Sequence, residues 1–138
     1  MRVLDTDVCI ELLRGNAHVI ERRRQVVDRV ATTWITACEL AYGAANSQHP
    51  QANQVLVTEF LASLPILDCS LTAAGLFGQN KARLRRAGNT VADADLMIAA
   101  VAQSHGAILV TGNTRHYARI EGLHLEDWIR SSLPDGAQ

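Results

Sequence analysis

The sequence is short of several things that would each announce a function. Lysine is reduced to Lys81; the other twelve of its 13 basic residues are arginine. Only six residues are aromatic, and no RNP-type aromatic motif occurs, so recognition of RNA by base stacking is not advertised. The three cysteines, Cys9, Cys38 and Cys69, are widely spaced and form no Cys-x-x-Cys pair. That excludes a disulfide framework or a thiolate zinc site, and leaves small buried hydrophobes as the expectation for all three. His18, His49, His105, His116 and His124 show no metal-ligand spacing and read as surface or satisfied histidines. No apolar run approaches the ~20 residues needed to span a bilayer, so no membrane partner is expected. Acid enters at Asp5, too early for a signal peptide, and a cytoplasmic location is expected. Repeats, low-complexity tracts and linkers are absent.

What remains is ordinary globular material: 138 residues, 48% apolar and 20% charged, with a net charge of −1. That is one domain with enough chain to bury a core. Short aliphatic strands are predicted at Val3-Leu4, Val30 to Thr33, Ile66-Leu67 and Ile108 to Thr111. Helical spacing fills the gaps: Asp7 or Val8 to Arg14, around Val19 to Val27, Ala37 to Ala45, Gln51 to Leu64, Leu71 to Ala87, and Ala92 or Asp93 to His105. Pro50 suits a first helical position, and Gly15, Gly88 and Gly106 mark stops. Asp127 to Leu133 reads as a short terminal helix, and 131–138 as a flexible tail. Strands alternating with helices imply an α/β fold on a parallel sheet.

That topology decides where polar residues meet. In a parallel sheet all strands end on one edge, where open α/β sheets bind ligands. Asp5 ends the first strand, and Glu39 lies early in the helix after the second. Asp95 begins an almost wholly apolar helix that feeds the strand at Ile108, and Asn113 follows that strand. The four are therefore expected in one crevice. Each has a plainer reading. Asp5 could be a carboxylate capping nearby amides at a strand-to-helix turn. Asp7, beside it, is placed to cap the following helix. Thr36-Ala37-Cys38-Glu39 matches a capping box, in which Glu39 only reaches back to Thr36. Asp95 could merely favour a helix dipole, Asp93 could be a cap or an outer, water-mediated ligand, and Gly112-Asn113 is also a turn signal. Carboxylates gathered on one edge repel unless some protonate or a cation holds them. Oxygen ligands without clustered Cys or His point to Mg²⁺, with Mn²⁺ as a substitute. Such ions serve phosphodiester hydrolysis. The arginine clusters, Arg22-Arg23-Arg24 and Lys81-Ala82-Arg83-Leu84-Arg85-Arg86, are solvated helix faces or grips for phosphate.

Leu4-Asp5-Thr6-Asp7, Ile35 to Gly43, Asp95 to Ala100 and Val110-Thr111-Gly112-Asn113, in this order, resemble the PIN-domain nucleases. The resemblance is strongest to the VapC toxins of bacterial VapBC toxin–antitoxin systems. It spans essentially the whole chain, including Gly122-Leu123 and Asp127-Trp128-Ile129. It implies a single three-layer α/β/α sandwich over residues 1–130. The implied activity is Mg²⁺- or Mn²⁺-dependent endoribonuclease cleavage of tRNA or another structured RNA, leaving a 3′-hydroxyl and a 5′-phosphate. The implied partners are a cognate VapB antitoxin and a second copy of the toxin. The family's catalytic acids map onto Asp5, Glu39 and Asp95 as metal ligands, with Asn113 completing the set. Asp7 and Asp93 are further candidate ligands, and Arg83, Arg85, Arg86 and Arg115 are candidate contacts to RNA or partner. The family usually has Asn where this chain has Asp7.

Asp5-Thr6-Asp7-Val8 also resembles the first motif of haloacid-dehalogenase-type phosphatases. That chemistry, like that of a phospho-receiver domain, needs a lysine near a strand end, and Lys81 lies inside an arginine-rich helix. A degenerate PIN domain that binds RNA or protein without cutting is the non-enzymatic alternative.

Overall fold

The computed structural model describes residues 1–130. Five strands and seven helices alternate along them: β1 (Arg2–Leu4), α1 (Thr6–Leu13), α2 (Ala17–Gln25), β2 (Val30–Thr33), α3 (Trp34–Ala45), α4 (Pro50–Ala62), β3 (Ile66–Leu67), α5 (Leu71–Arg86), α6 (Asp93–Ser104), β4 (Ile108–Val110), α7 (Thr114–Tyr117) and β5 (His124–Glu126). The strands form one sheet in the order β3-β2-β1-β4-β5, and every pairing is parallel. Arg2 pairs with Val30 on one side and Ile108 on the other, so β1 is central.

Successive residues of a strand face opposite sides of the sheet. Val3 and Leu109 point into a core with Ala73 and Leu84 of α5, the apolar run of α6 from Leu96 to Ala102, and Tyr117 of α7. Leu4 and Val110, one residue on, point the other way, toward Val8 and Cys9 of α1, Val19 of α2 and Trp128. A sheet buried on both faces requires strands without polar alternation, as β1 and β4 show. The result is the expected three-layer sandwich.

Most element signals hold. Pro50 starts α4, and Gly15, Gly88 and Gly106 take positive φ just after α1, α5 and α6. Other expectations need correction. Helix α3 begins at Trp34, not Ala37, because the Thr33 hydroxyl accepts from the Thr36 N–H and caps it. Helix α7 and strand β5 were not anticipated; four and three residues are too few for a periodic signal. Residues 127–130 form a bend rather than a helix, with Asp127 Oδ1 accepting from Ile129 and Arg130 N–H. The rest of that expected helix, and the expected tail at 131–138, lie outside the described residues. Only Cys9 is a buried hydrophobe; Cys38 and Cys69 are exposed. Burial pushes the Cys9 thiol up to about 12, which leaves it inert. Among the described residues no helix is long and apolar enough to cross a membrane.

Candidate active site

Strands β1 and β4 lie side by side, but the chain leaves them for opposite ends of the sheet: β2 follows β1 on one side and β5 follows β4 on the other. The carboxyl ends of such a pair open a crevice between their diverging loops. Asp5 stands at the end of β1, and Thr111-Gly112-Asn113 at the end of β4.

Asp5 is 6% exposed. It caps α1: Oδ1 accepts from the Thr6 N–H at 2.8 Å. Oδ2 accepts from the Thr111 hydroxyl at 2.8 Å. Burial, aided by the charges of Asp7 and Asp95, pushes its carboxyl up to about 6 despite those two hydrogen bonds. Of the two residues for which a capping role was open, Asp5 takes it, and Asp7 does not. Asp7 sits in the first turn and works elsewhere. Its Oδ1 meets the Val8 N–H, and its Oδ2 accepts from the Gly112 N–H at 2.9 Å. Burial holds Asp7 above the usual carboxylate range as well. Arg130 Nη1 donates to the next peptide, 2.6 Å from the Gly112 carbonyl oxygen. A Cβ on Gly112 would lie 2.8 Å from Ile129 Cδ1 and 3.0 Å from Asp7 Oδ2, so those side-chain ends would have to shift. Asp7 is thus a clamp on the β4–α7 loop.

Asp95, in the first turn of α6, is half-buried, and its Oδ2 lies 3.0 Å from His116 Nε2. Its charge reaches Asp5 and Tyr117. Glu39 is exposed. It does not reach back to Thr36 in a capping box, since Thr36 lies inside α3. Instead Glu39 Oε1 accepts from the Thr6 hydroxyl at 2.8 Å, and the Thr6 and Thr36 hydroxyls are 3.0 Å apart. Asn113 is exposed at the start of α7; its N–H donates to the Thr111 hydroxyl at 3.0 Å.

The remaining candidates sit farther out. Asp93 is the first residue of α6 rather than its cap, and pairs with Lys81 Nζ at 2.9 Å. That pair ties α5 to the start of α6; Arg85 and Arg86, in the last turn of α5, are exposed. Arg83 pairs with Glu121 at 3.4 Å, and Arg115 is exposed on α7. Arg22 is structural: it is buried with Nη2 3.6 Å from Glu126.

Thr111, read as a strand end, and His116, read as a surface or satisfied histidine, were not among the expected site residues, and neither was Tyr117. Thr111 could have been found, as a hydroxyl at a strand end beside an acid; the other two follow a helix too short to foresee. Tyr117 is fully buried, with its hydroxyl toward Asp5 and Asp95. Burial, then the charges of those carboxylates and hydrogen bonding to them, push it far above the usual phenol range.

Among the described residues no three Asp, Glu, His or Cys side chains form a ready-made metal cage. The expected trio of ligands is therefore not gathered: Asp5 and Asp95 come together, while Glu39 hangs from Thr6 at the mouth. Two carboxylates still suit Mg²⁺, which keeps several waters and takes one or two carboxylates from a protein. A carboxyl held near 6 beside a second acid fits such a group.

The PIN domain family model matches residues 2–123. A protein named tRNA(fMet)-specific endonuclease VapC from Shigella flexneri is 39% identical over 91% of this chain and 96% of its own length. Ribonuclease VapC2 from Haemophilus influenzae strain KW20 is 36% identical over 92% of this chain and 97% of its own. The DNA-bound VapBC crystal structure from Salmonella typhimurium contains a chain that superposes with a TM-score of 0.87 at 39% identity. It covers 93% of this chain and 98% of that one. With its sheet order, its acidic switch point and these full-length likenesses, the chain belongs to the PIN-domain family, among the VapC proteins.

Proposed function

We propose that the chain is the toxin of a VapBC pair, a Mg²⁺- or Mn²⁺-dependent endoribonuclease that hydrolyses RNA phosphodiester bonds. The observation that carries this reading is Asp5 beside Asp95 at the mouth between β1 and β4, with Asp5 pushed up to about 6 by burial and by its acidic neighbours. Two acids so placed favour a bound cation. Asp5 and Asp95 would hold it, with Glu39 and Asn113 reaching it through water. When bound, the ion supplies charge neutralisation at the scissile phosphate and a more acidic water.

The chain's own residues prepare that site. Thr111 fixes Asp5, His116 orients Asp95, and Thr6 holds Glu39 at the rim. Arg115, Arg85 and Arg86 offer exposed charge to RNA phosphates around the edge, with Arg83 behind them. The names of relatives support a ribonuclease, and one specifies a tRNA; a structured RNA of that kind is the proposed substrate. Solved VapBC complexes of similar chains support a VapB-type antitoxin as partner. A homodimer acting in the cytoplasm completes the reading.

The test is cleavage of purified total RNA, resolved on a denaturing gel, with Mg²⁺, with Mn²⁺ and with EDTA, beside Asp95→Ala. Discrete bands that need the metal and vanish in the variant are expected. RNA that is retained but never cut, under any metal, would support the binding-only alternative instead.

A further inference from the structure

Three threonine hydroxyls form a line from the end of β2 to the mouth of the site. Thr33 Oγ1 lies 3.4 Å from Thr36 Oγ1, which lies 3.0 Å from Thr6 Oγ1, which lies 2.8 Å from Glu39 Oε1. Thr33 and Thr36 are fully buried, and Glu39 is exposed. A hydroxyl has one proton to give, and an ionised carboxylate can only accept. Thr6 therefore donates to Glu39. By distance alone either Thr6 or Thr36 could donate to the other. With the Thr6 proton committed to Glu39, Thr36 is the donor. The Thr36 proton is then committed too, so the longest contact runs from Thr33 to Thr36. The Thr33 oxygen still accepts from the Thr36 N–H, at 3.2 Å. The carboxylate thus fixes the direction of all three hydroxyls, and a chain so aligned strengthens the bond at its charged end.

Thr6 is the joint of this chain. Its N–H donates to Asp5 Oδ1 at 2.8 Å while its hydroxyl donates to Glu39, so one residue holds both acids. An exposed glutamate otherwise samples many rotamers, and holding it in one costs side-chain entropy. We infer that Thr36 is a positioning residue: by donating to Thr6 it aims the Thr6 hydroxyl at Glu39 and keeps that carboxylate at the mouth of the cation site. The inference rests on the cation site proposed above. It gives the buried Thr36 hydroxyl a role that serine could fill and valine could not. Groups that orient a metal's ligands through hydrogen bonds typically change its affinity by 10- to 100-fold when removed.

The experiment reads Mn²⁺ affinity by titration calorimetry in the wild-type chain, Thr36→Val, Thr36→Ser, Glu39→Ala and the double variant Thr36→Val/Glu39→Ala. Urea unfolding in EDTA establishes that each is folded. Thr36→Val should raise the Mn²⁺ dissociation constant about 10-fold, and Thr36→Ser should restore it. Once Glu39 is alanine, Thr36→Val should add nothing, because the two residues act as one unit. Thr6→Val, at a half-buried position, removes the last bond of the chain and should give the same loss even where Thr36→Val does not fold. Equal Mn²⁺ affinity in Thr36→Val and the wild type, or in Thr6→Val and the wild type, would overturn the inference and leave the cation site standing. So would a serine variant no better than valine, or a valine loss of full size in the Glu39→Ala background, since Thr36 would then act through packing. A wild-type chain that binds no Mn²⁺ would overturn the cation site, and this inference with it.

Discussion

Replacing Asp5 by Asn is expected to make the metal-free protein more stable while abolishing cleavage. The carboxyl rises from 3.8 to about 6 on folding, chiefly through burial. At about 1.4 kcal/mol per unit, the ionised group opposes folding by about 3 kcal/mol. The sign follows from a folded-state pKa that is raised. Below about 4 the group is protonated in both states and costs nothing. Stability is lost as pH rises through 4 to 6, and the cost is complete above that. Asn keeps the shape; its oxygen can still accept from Thr6, and the Thr111 hydroxyl can turn to accept from its amide. The assay is urea unfolding in EDTA at pH 7.5 and pH 3.5. The variant should gain up to about 3 kcal/mol at pH 7.5 and almost nothing at pH 3.5. Equal effects at the two pH values would refute the reasoning, because the shift in Asp5 would then have no energetic consequence.

Gly112→Ala would push a methyl group against Ile129 and Asp7, and should cost about 1–3 kcal/mol in thermal or urea unfolding, as over-packing does. Thr111→Val removes the donor to Asp5 and the acceptor for the Asn113 N–H; RNA cleavage should fall about 10- to 100-fold while circular dichroism stays unchanged. Burial raises the Glu126 carboxyl, but hydrogen bonds from Arg2 and Trp128, with the charges of Arg2 and Arg22, outweigh it and hold the group below its usual range. Its stabilisation is therefore present near neutrality and lost as pH falls through that lowered value. Glu126→Gln should cost about 1–2 kcal/mol at pH 7, a figure reduced for partial exposure, and should flatten the acid limb of the unfolding profile.

The parallel sheet and the shared edge were legible because chain order and helix direction alone place strand ends. Asp5 and Asp95 could be put in one crevice without any distance. What sequence could not resolve was which of two nearby polar groups serves which neighbour. Asp5 and Asp7 both suit a cap, and the choice fell to Asp5 because Asp7 is drawn to Gly112, more than 100 residues away along the chain. Thr33 and Thr36 both suit a cap, and the choice fell to Thr33, which freed Glu39 for Thr6. His116 and Tyr117 depend on a helix of one turn, whose existence rests on tertiary packing rather than local pattern.

The order of synthesis gives the β1–β4 pairing a further meaning. Asp5 is made 106 residues before the hydroxyl that fixes it, and Arg130 secures the Gly112 loop later still. A growing chain can pair β1 with β2 early, but its acidic edge stays half-built until β4 and the segment after β5 have been added. Any product cut short before Thr111 lacks the hydroxyl that orders Asp5, so the topology ties the completion of the acidic edge to β4.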